Sequence, residues 1–113
     1  MIDDVFCKII VGEIKADFVY RDDDFFVIKD INPQAPVHLL IIPTEHRLNI
    51  HDFKDKEALL GRALLIADKI AHEMKLENGY RLILNEGEDG GKLVPHLHIH
   101  LLGGKKLGPK IVK

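Results

Sequence analysis

The segment His96-Leu97-His98-Ile99-His100-Leu101-Leu102 alternates polar and apolar residues without a break. A period of two belongs to a β-strand, where successive side chains point to opposite faces. The pattern predicts a strand over Leu97 to Leu102. Leu97, Ile99 and Leu101 would face a core. His96, His98 and His100 would share the other face, about 6.5–7 Å apart. A strand with one apolar face needs a second layer to cover it. The chain has 113 residues, enough for one packed core and one domain, 1–113.

The rest of the chain supplies that layer. Val5, Phe6, Ile9 and Ile10 recur at spacing four, which predicts a short helix over Asp4 to Val11, ended by Gly12. Phe18 to Arg21 and Phe25 to Asp30 read as two strands joined by an acidic turn at Asp22-Asp23-Asp24. Phe26, Ile28 and Asp30 would then share one face. Asn32 to Pro36 is a loop, because two prolines remove donors and bias their predecessors away from helix. Val37 to Ile42 is nearly all apolar, as a strand covered on both faces should be. One long helix is expected over Glu57 to Leu76, capped by Asp55 and leaving through Asn78-Gly79. Its apolar stripe, widened by Leu59, Leu65 and Ile66, exceeds what one small sheet covers, which points to a second subunit. Tyr80 to Leu84 is a further strand. The order implies an α+β fold: a five-stranded antiparallel sheet with one long helix and a short N-terminal helix.

Composition removes several alternatives. With 46% hydrophobic and 30% charged residues, the chain is not of the disordered class. A net charge of -2 argues against nucleic acid as a partner. The acidic start and the short apolar runs suggest no exported or membrane-bound product, so a cytoplasmic location is expected. One cysteine, Cys7, permits neither an internal disulfide nor a cysteine zinc cage.

Histidine is the abundant chemical group, with seven copies. Two chemistries fit three of them on one strand face. Histidines two apart can chelate zinc, with His38 and Asp30 as further ligands. Alternatively, a neutral imidazole attacks phosphorus while a neighbour stabilises phosphate charge and protonates a leaving group. Gly87, Gly90 and Gly91 permit positive φ, so their loop could aim N–H groups at an anion. Asn85 could donate to a phosphate oxygen, and Asp30 could accept from ribose hydroxyls. Val5, Phe6, Ile28 and Ile31 could form a slot for a base. His38 interrupts an apolar strand and needs partners. His46, His51 and His72 show no constellation and read as surface residues. Cys7 reads as a small core hydrophobe.

The run from His96 to Leu102 resembles the histidine triad pattern, His-x-His-x-His followed by two apolar residues. The similarity extends over Phe6 to Ile10, Asp30 to Pro36, His38 to Pro43, Asn85 to Gly87, Gly90-Gly91 and Leu102 to Gly104. The chain resembles the Hint-type purine nucleoside phosphoramidase branch of the histidine triad family. The resemblance implies two protomers paired into one continuous sheet. It implies His98 as nucleophile on the α-phosphorus of a purine nucleoside phosphoramidate. His100 would assist the leaving group, and His96 and His38 would hold the geometry. Asn85 and the Gly91 backbone would contact the phosphate, Asp30 the ribose, and Phe6, Ile28 and Ile31 the base. No cofactor and no metal are implied. Lys92 and Leu93 depart from the usual glutamine and hydroxyl residue, and Pro95 from a common aromatic. Other mixed nucleotides as substrates, a nucleotide-binding regulatory module and a metal-binding protein stand as alternatives.

Overall fold

The computed structural model describes residues 4–109 and 111–112. Its elements are α1 (Val5–Ile10), β1 (Phe18–Arg21), β2 (Phe25–Lys29), β3 (Val37–Pro43), α2 (Glu57–Glu73), β4 (Arg81–Leu84) and β5 (Ile99–Gly103). A 3-10 turn, Ile50–Phe53, precedes α2. All strand pairs are antiparallel, in the spatial order β1-β2-β3-β5-β4. The expected α+β class and five-stranded sheet are borne out.

The strand alternation sorts the core into two layers. Phe25, Val27, Leu39, Ile41, Ile99 and Leu101 meet Ala63, Ile66, Ala67, Ile70 and Ala71 of α2. Phe26, Ile28, Leu40 and Ile42 face the other way and meet Phe6 and Ile9 of α1. This is why β3 is apolar almost throughout: both of its faces are covered. The acidic turn is also accounted for. The Asp22 carboxylate accepts from the Asp24 and Phe25 amides, both at 2.8 Å, and Arg62 of α2 pairs with Asp22 and Asp24.

Three boundary shifts have a clear physical cause, beside one-residue differences at several strand ends. Lys56, not Asp55, stands at the start of α2, with no side-chain cap bond. The 3-10 turn runs into the helix there, and Lys56 N–H already bonds the Phe53 carbonyl at 2.8 Å. The helix also ends early. Lys75 takes a left-handed φ of 60°, with Lys75 N–H on His72 O and Leu76 N–H on Ala71 O, both at 3.0 Å. That pair of bonds is a Schellman exit, reached by a lysine where glycine is usual. Leu76 then packs onto Gly103, where an added Cβ would lie 2.8 Å from the leucine methyl. Finally, β5 begins at Ile99 rather than Leu97. Ile41 pairs with Ile99, so Pro43 would pair with Leu97. Proline has no N–H for a ladder. The Leu97 N–H turns to the Arg47 carbonyl at 2.7 Å instead.

No helix among the described residues is long and apolar enough to cross a membrane.

A left-handed lysine costs about 1 kcal/mol that glycine does not incur. Lys75→Gly is therefore expected to stabilise the fold by roughly that amount, partly offset by the greater freedom of glycine in the unfolded chain. Urea denaturation reads the change, and a lower midpoint in the variant would contradict the assignment.

Candidate active site

The register of β3 on β5 sets the site. His38 stands opposite Leu102, and Leu40 opposite His100. The two histidines are diagonal neighbours on one face, where long side chains meet. Their rings lie 5.2 Å apart, with His38 Nε2 2.9 Å from His100 Nδ1. Asp30, just past β2, donates its N–H to the His38 carbonyl at 3.0 Å. Its carboxylate lies 3.3 Å from His38 Nε2 and 4.0 Å from His100 Nδ1.

The partners assign the protons. The Gln34 N–H donates to His38 Nδ1 at 3.0 Å, so that nitrogen carries the lone pair. His38 Nε2–H then donates toward His100 Nδ1 and Asp30. His100 is left with Nε2–H as its outward donor. His98 Nδ1 lies 2.8 Å from the His96 carbonyl, which only accepts. His98 therefore carries its proton on Nδ1 and its lone pair on Nε2. Burial pushes His98 below the ordinary imidazole range, the His96 carbonyl opposes this, and the nearby Lys92 charge adds to it. His100 is pushed down to about 4, first by burial and then by His98 and His38. The outcome is a neutral pair, one lone pair beside one N–H donor, with rings 5.2 Å apart.

The expected third member of that face is elsewhere. His96 is fully buried, at 0% exposure, and its Nε2–H donates to the Pro43 carbonyl at 2.9 Å. It lies beyond the point where Pro43 would continue the ladder, and its ring turns to the Pro43 carbonyl instead of the His98 face. Its Nδ1 is 3.2 Å from Asp4 Oδ2 and 3.7 Å from Cys7 Sγ. Burial lowers the His96 pKa, against the Pro43 carbonyl and the Asp4 charge. His46, read from sequence as a surface residue, joins this group: its Nδ1 lies 3.0 Å from Asp4 Oδ2 and 3.5 Å from Cys7 Sγ. Its ring packs edge-on against His96 at 4.9 Å. The signal available in sequence was Asp4 and Cys7 three apart on one helical turn; their meeting with His46 and His96 crosses the whole chain. His51 and His72 are exposed, as expected.

Two donor sets among the described residues are compact enough to hold a cation: Asp4, Cys7, His46 and His96, and Asp30, His38 and His100. Neither is the chelate of His96, His98 and His100 that stood as an alternative, because His96 points away from the other two.

Phe6 of α1 lies edge-on to both His96, at 5.6 Å, and His98, at 5.2 Å. Ile28 is buried in the same cluster, whereas Ile31 is 94% exposed. Asn85 donates to Gly90 O at 2.6 Å, and the Gly91 N–H is on Glu88 O at 3.0 Å. Gly87 and Gly91 take positive φ, at 67° and 80°. Gly90 has no alternative, since a Cβ there would sit 2.1 Å from Glu86 O. Glu86 is neutralised by Lys92, at 3.3 Å, and by the Ile50 N–H, at 3.2 Å. Lys92 also donates to Leu48 O. Lys92 thus ties the glycine loop to the 48–50 segment and keeps a positive charge beside His98.

Paired imidazoles of this kind, beside a glycine loop on an antiparallel sheet, are the architecture of histidine triad proteins. The HIT domain family model matches residues 11–107, and the chain belongs to that family. The purine nucleoside phosphoramidase of Escherichia coli K12 is 47% identical over 109 residues, 95% of this chain and 92% of that one. An uncharacterized HIT-like protein of Chlamydia muridarum is 50% identical over 105 residues, 92% of this chain and 83% of that one. The solved HIT family hydrolase of Clostridium thermocellum superposes with a TM-score of 0.93 at 46% identity, covering 99% of both chains. The expected family and the expected hydrolase class are borne out.

The histidine shifts carry a pH signature. His100 titrates near 4 when folded, against 6.5 ordinarily. A depressed imidazole takes its proton first in the unfolded chain, so stability is full above about 6.5 and is lost as pH falls toward about 4. His96 and His98 shift in the same direction. The urea midpoint should drop between about pH 7 and about pH 4.5, and His100→Gln should shrink that drop. An identical pH profile in the variant would refute the assignment.

Proposed function

We propose that this protein is a nucleotide hydrolase that cleaves the P–N bond of purine nucleoside phosphoramidates through a nucleotidyl-His98 intermediate. The observation that carries this reading is the 2.8 Å bond from His98 Nδ1 to the His96 carbonyl, which leaves Nε2 with a lone pair. A nucleophile of fixed tautomer, already aimed, avoids reorganisation at the moment of attack.

His98 Nε2 attacks the α-phosphorus. A P–N bond to His98 forms as the P–N bond to the amine breaks. A water at the His100 edge gives the departing nitrogen its proton, while the neutral His100 donates its Nε2–H to a phosphate oxygen. Water then attacks phosphorus, the bond to His98 breaks, and the nucleoside monophosphate leaves. His38 and Asp30 hold the His100 tautomer, and His96 holds that of His98. In this reading Asp30 also receives the ribose, Asn85 and the Gly91 backbone lie beside the phosphate, and Phe6, Ile28 and Ile31 line the base side. No metal takes part. The name of the E. coli relative, a purine nucleoside phosphoramidase, supports the substrate class.

The reading extends to one domain over 1–113, working as a homodimer in the cytoplasm, with no nucleic-acid or membrane partner. The uncovered side of α2 supports the dimer: Leu64 is 50% and Leu65 71% exposed, adjacent apolar side chains that a second copy would cover.

Incubation with an adenosine phosphoramidate should release the monophosphate, and acid quenching should trap an adduct on His98. His98→Ala should lose turnover by roughly 10⁴-fold or more while still binding the monophosphate in calorimetry. Full turnover in that variant would remove the covalent mechanism.

A further inference from the structure

His98 stands one residue before β5, outside the ladder that fixes His100. Its acceptor, the His96 carbonyl, is further out still. The sheet therefore does not place the bond that sets the nucleophile's tautomer. The main chain at 96–98 is instead held by the His96 side chain on the Pro43 carbonyl and by the Leu97 N–H on Arg47 O. The remaining nitrogen, His96 Nδ1, meets the Asp4 carboxylate, and a proton shared between the two makes His96 a donor at both nitrogens.

That carboxylate has several tasks. Asp4 Oδ1 accepts the Cys7 N–H at 2.8 Å and so caps α1. Asp4 Oδ2 lies 3.0 Å from His46 Nδ1 and 3.2 Å from His96 Nδ1. Its side chain is only 2% exposed. Burial works to raise the Asp4 carboxyl, but the bonds from Cys7 and the pull of His96 outweigh it and hold it below its usual value. The helix it caps carries Phe6, whose ring edges against both His96 and His98.

We propose that Asp4 is a positioning residue for the reaction: it locks His96, and through the His96 carbonyl it sets the pose and tautomer of His98. This rests on His98 being the nucleophile. Asp4 never meets the substrate. His46 braces the carboxylate from the far side. The chain thus fixes its nucleophile from a residue more than ninety positions away, at the mouth of the helix that carries Phe6.

Two variants separate positioning from capping. Serine still caps a helix but is too short to reach the imidazoles, and asparagine keeps size and cap without the charge. Asp4→Ser and Asp4→Asn should each lower kcat on an adenosine phosphoramidate by roughly 10–100-fold, with KM and monophosphate affinity nearly unchanged. In ¹⁵N-resolved histidine spectra, His98 should shift from a single Nδ1–H form to a mixture. Wild-type kcat and an unchanged His98 spectrum in Asp4→Ser would reduce Asp4 to a cap and overturn the proposal. An equal loss of monophosphate binding would overturn it too, by tracing the defect to the fold. So would a stoichiometric divalent ion in the purified wild type, because carboxylate and imidazole would then meet through the ion. An inactive wild type that still shows the His98 spectral change in the variants would count against the substrate reading alone.

Discussion

The antiparallel register of β3 on β5 is the constraint on which the rest depends. It pairs Leu40 with His100 and His38 with Leu102. A slip of one residue would turn His100 toward α2 and leave His38 without its diagonal partner. The register is held because each face is claimed: Leu39, Ile41, Ile99 and Leu101 by α2, Leu40 and Ile42 by α1. Core packing and the placement of imidazoles are thus the same decision.

The register brings His38 to His100, and hydrogen bonds from outside the ladder then fix the proton positions. A backbone N–H from Gln34 fixes His38, His38 fixes His100, and a backbone carbonyl fixes His98. The chemistry is dictated by main-chain groups, which cannot change their donor or acceptor character with pH. Burial then keeps His98 and His100 uncharged and makes each bond count for more than it would in water.

Periodicity made most of this legible. The strand alternation, the long helix, the two-sided cover of β3 and the pairing of His98 with His100 could all be read from local pattern. What could not be read are features set by meetings between distant segments. His96 obeys the alternation in sequence, yet Pro43 ends the ladder before reaching it, and its ring is drawn into the group with Asp4, Cys7 and His46. His46 carries no local signature, because its partners lie at the two ends of the chain. The exit of α2 was misplaced for a related reason. The asparagine and glycine at 78–79 suit a helix end, but Leu76 finds its seat on Gly103 earlier and closes the helix with a lysine.

That seat has a mechanical consequence. Gly103 is the last residue of β5, and its missing side chain is filled by Leu76 from the turn that ends α2. The strand is clamped at that end by the longest helix of the fold. At its other end the chain leaves the sheet and hangs on the His96 side chain and one main-chain bond, Leu97 N–H to Arg47 O. The histidine segment therefore behaves as a beam built in at one end and guyed at the other. Any slack in it appears at His98, the point where slack matters most.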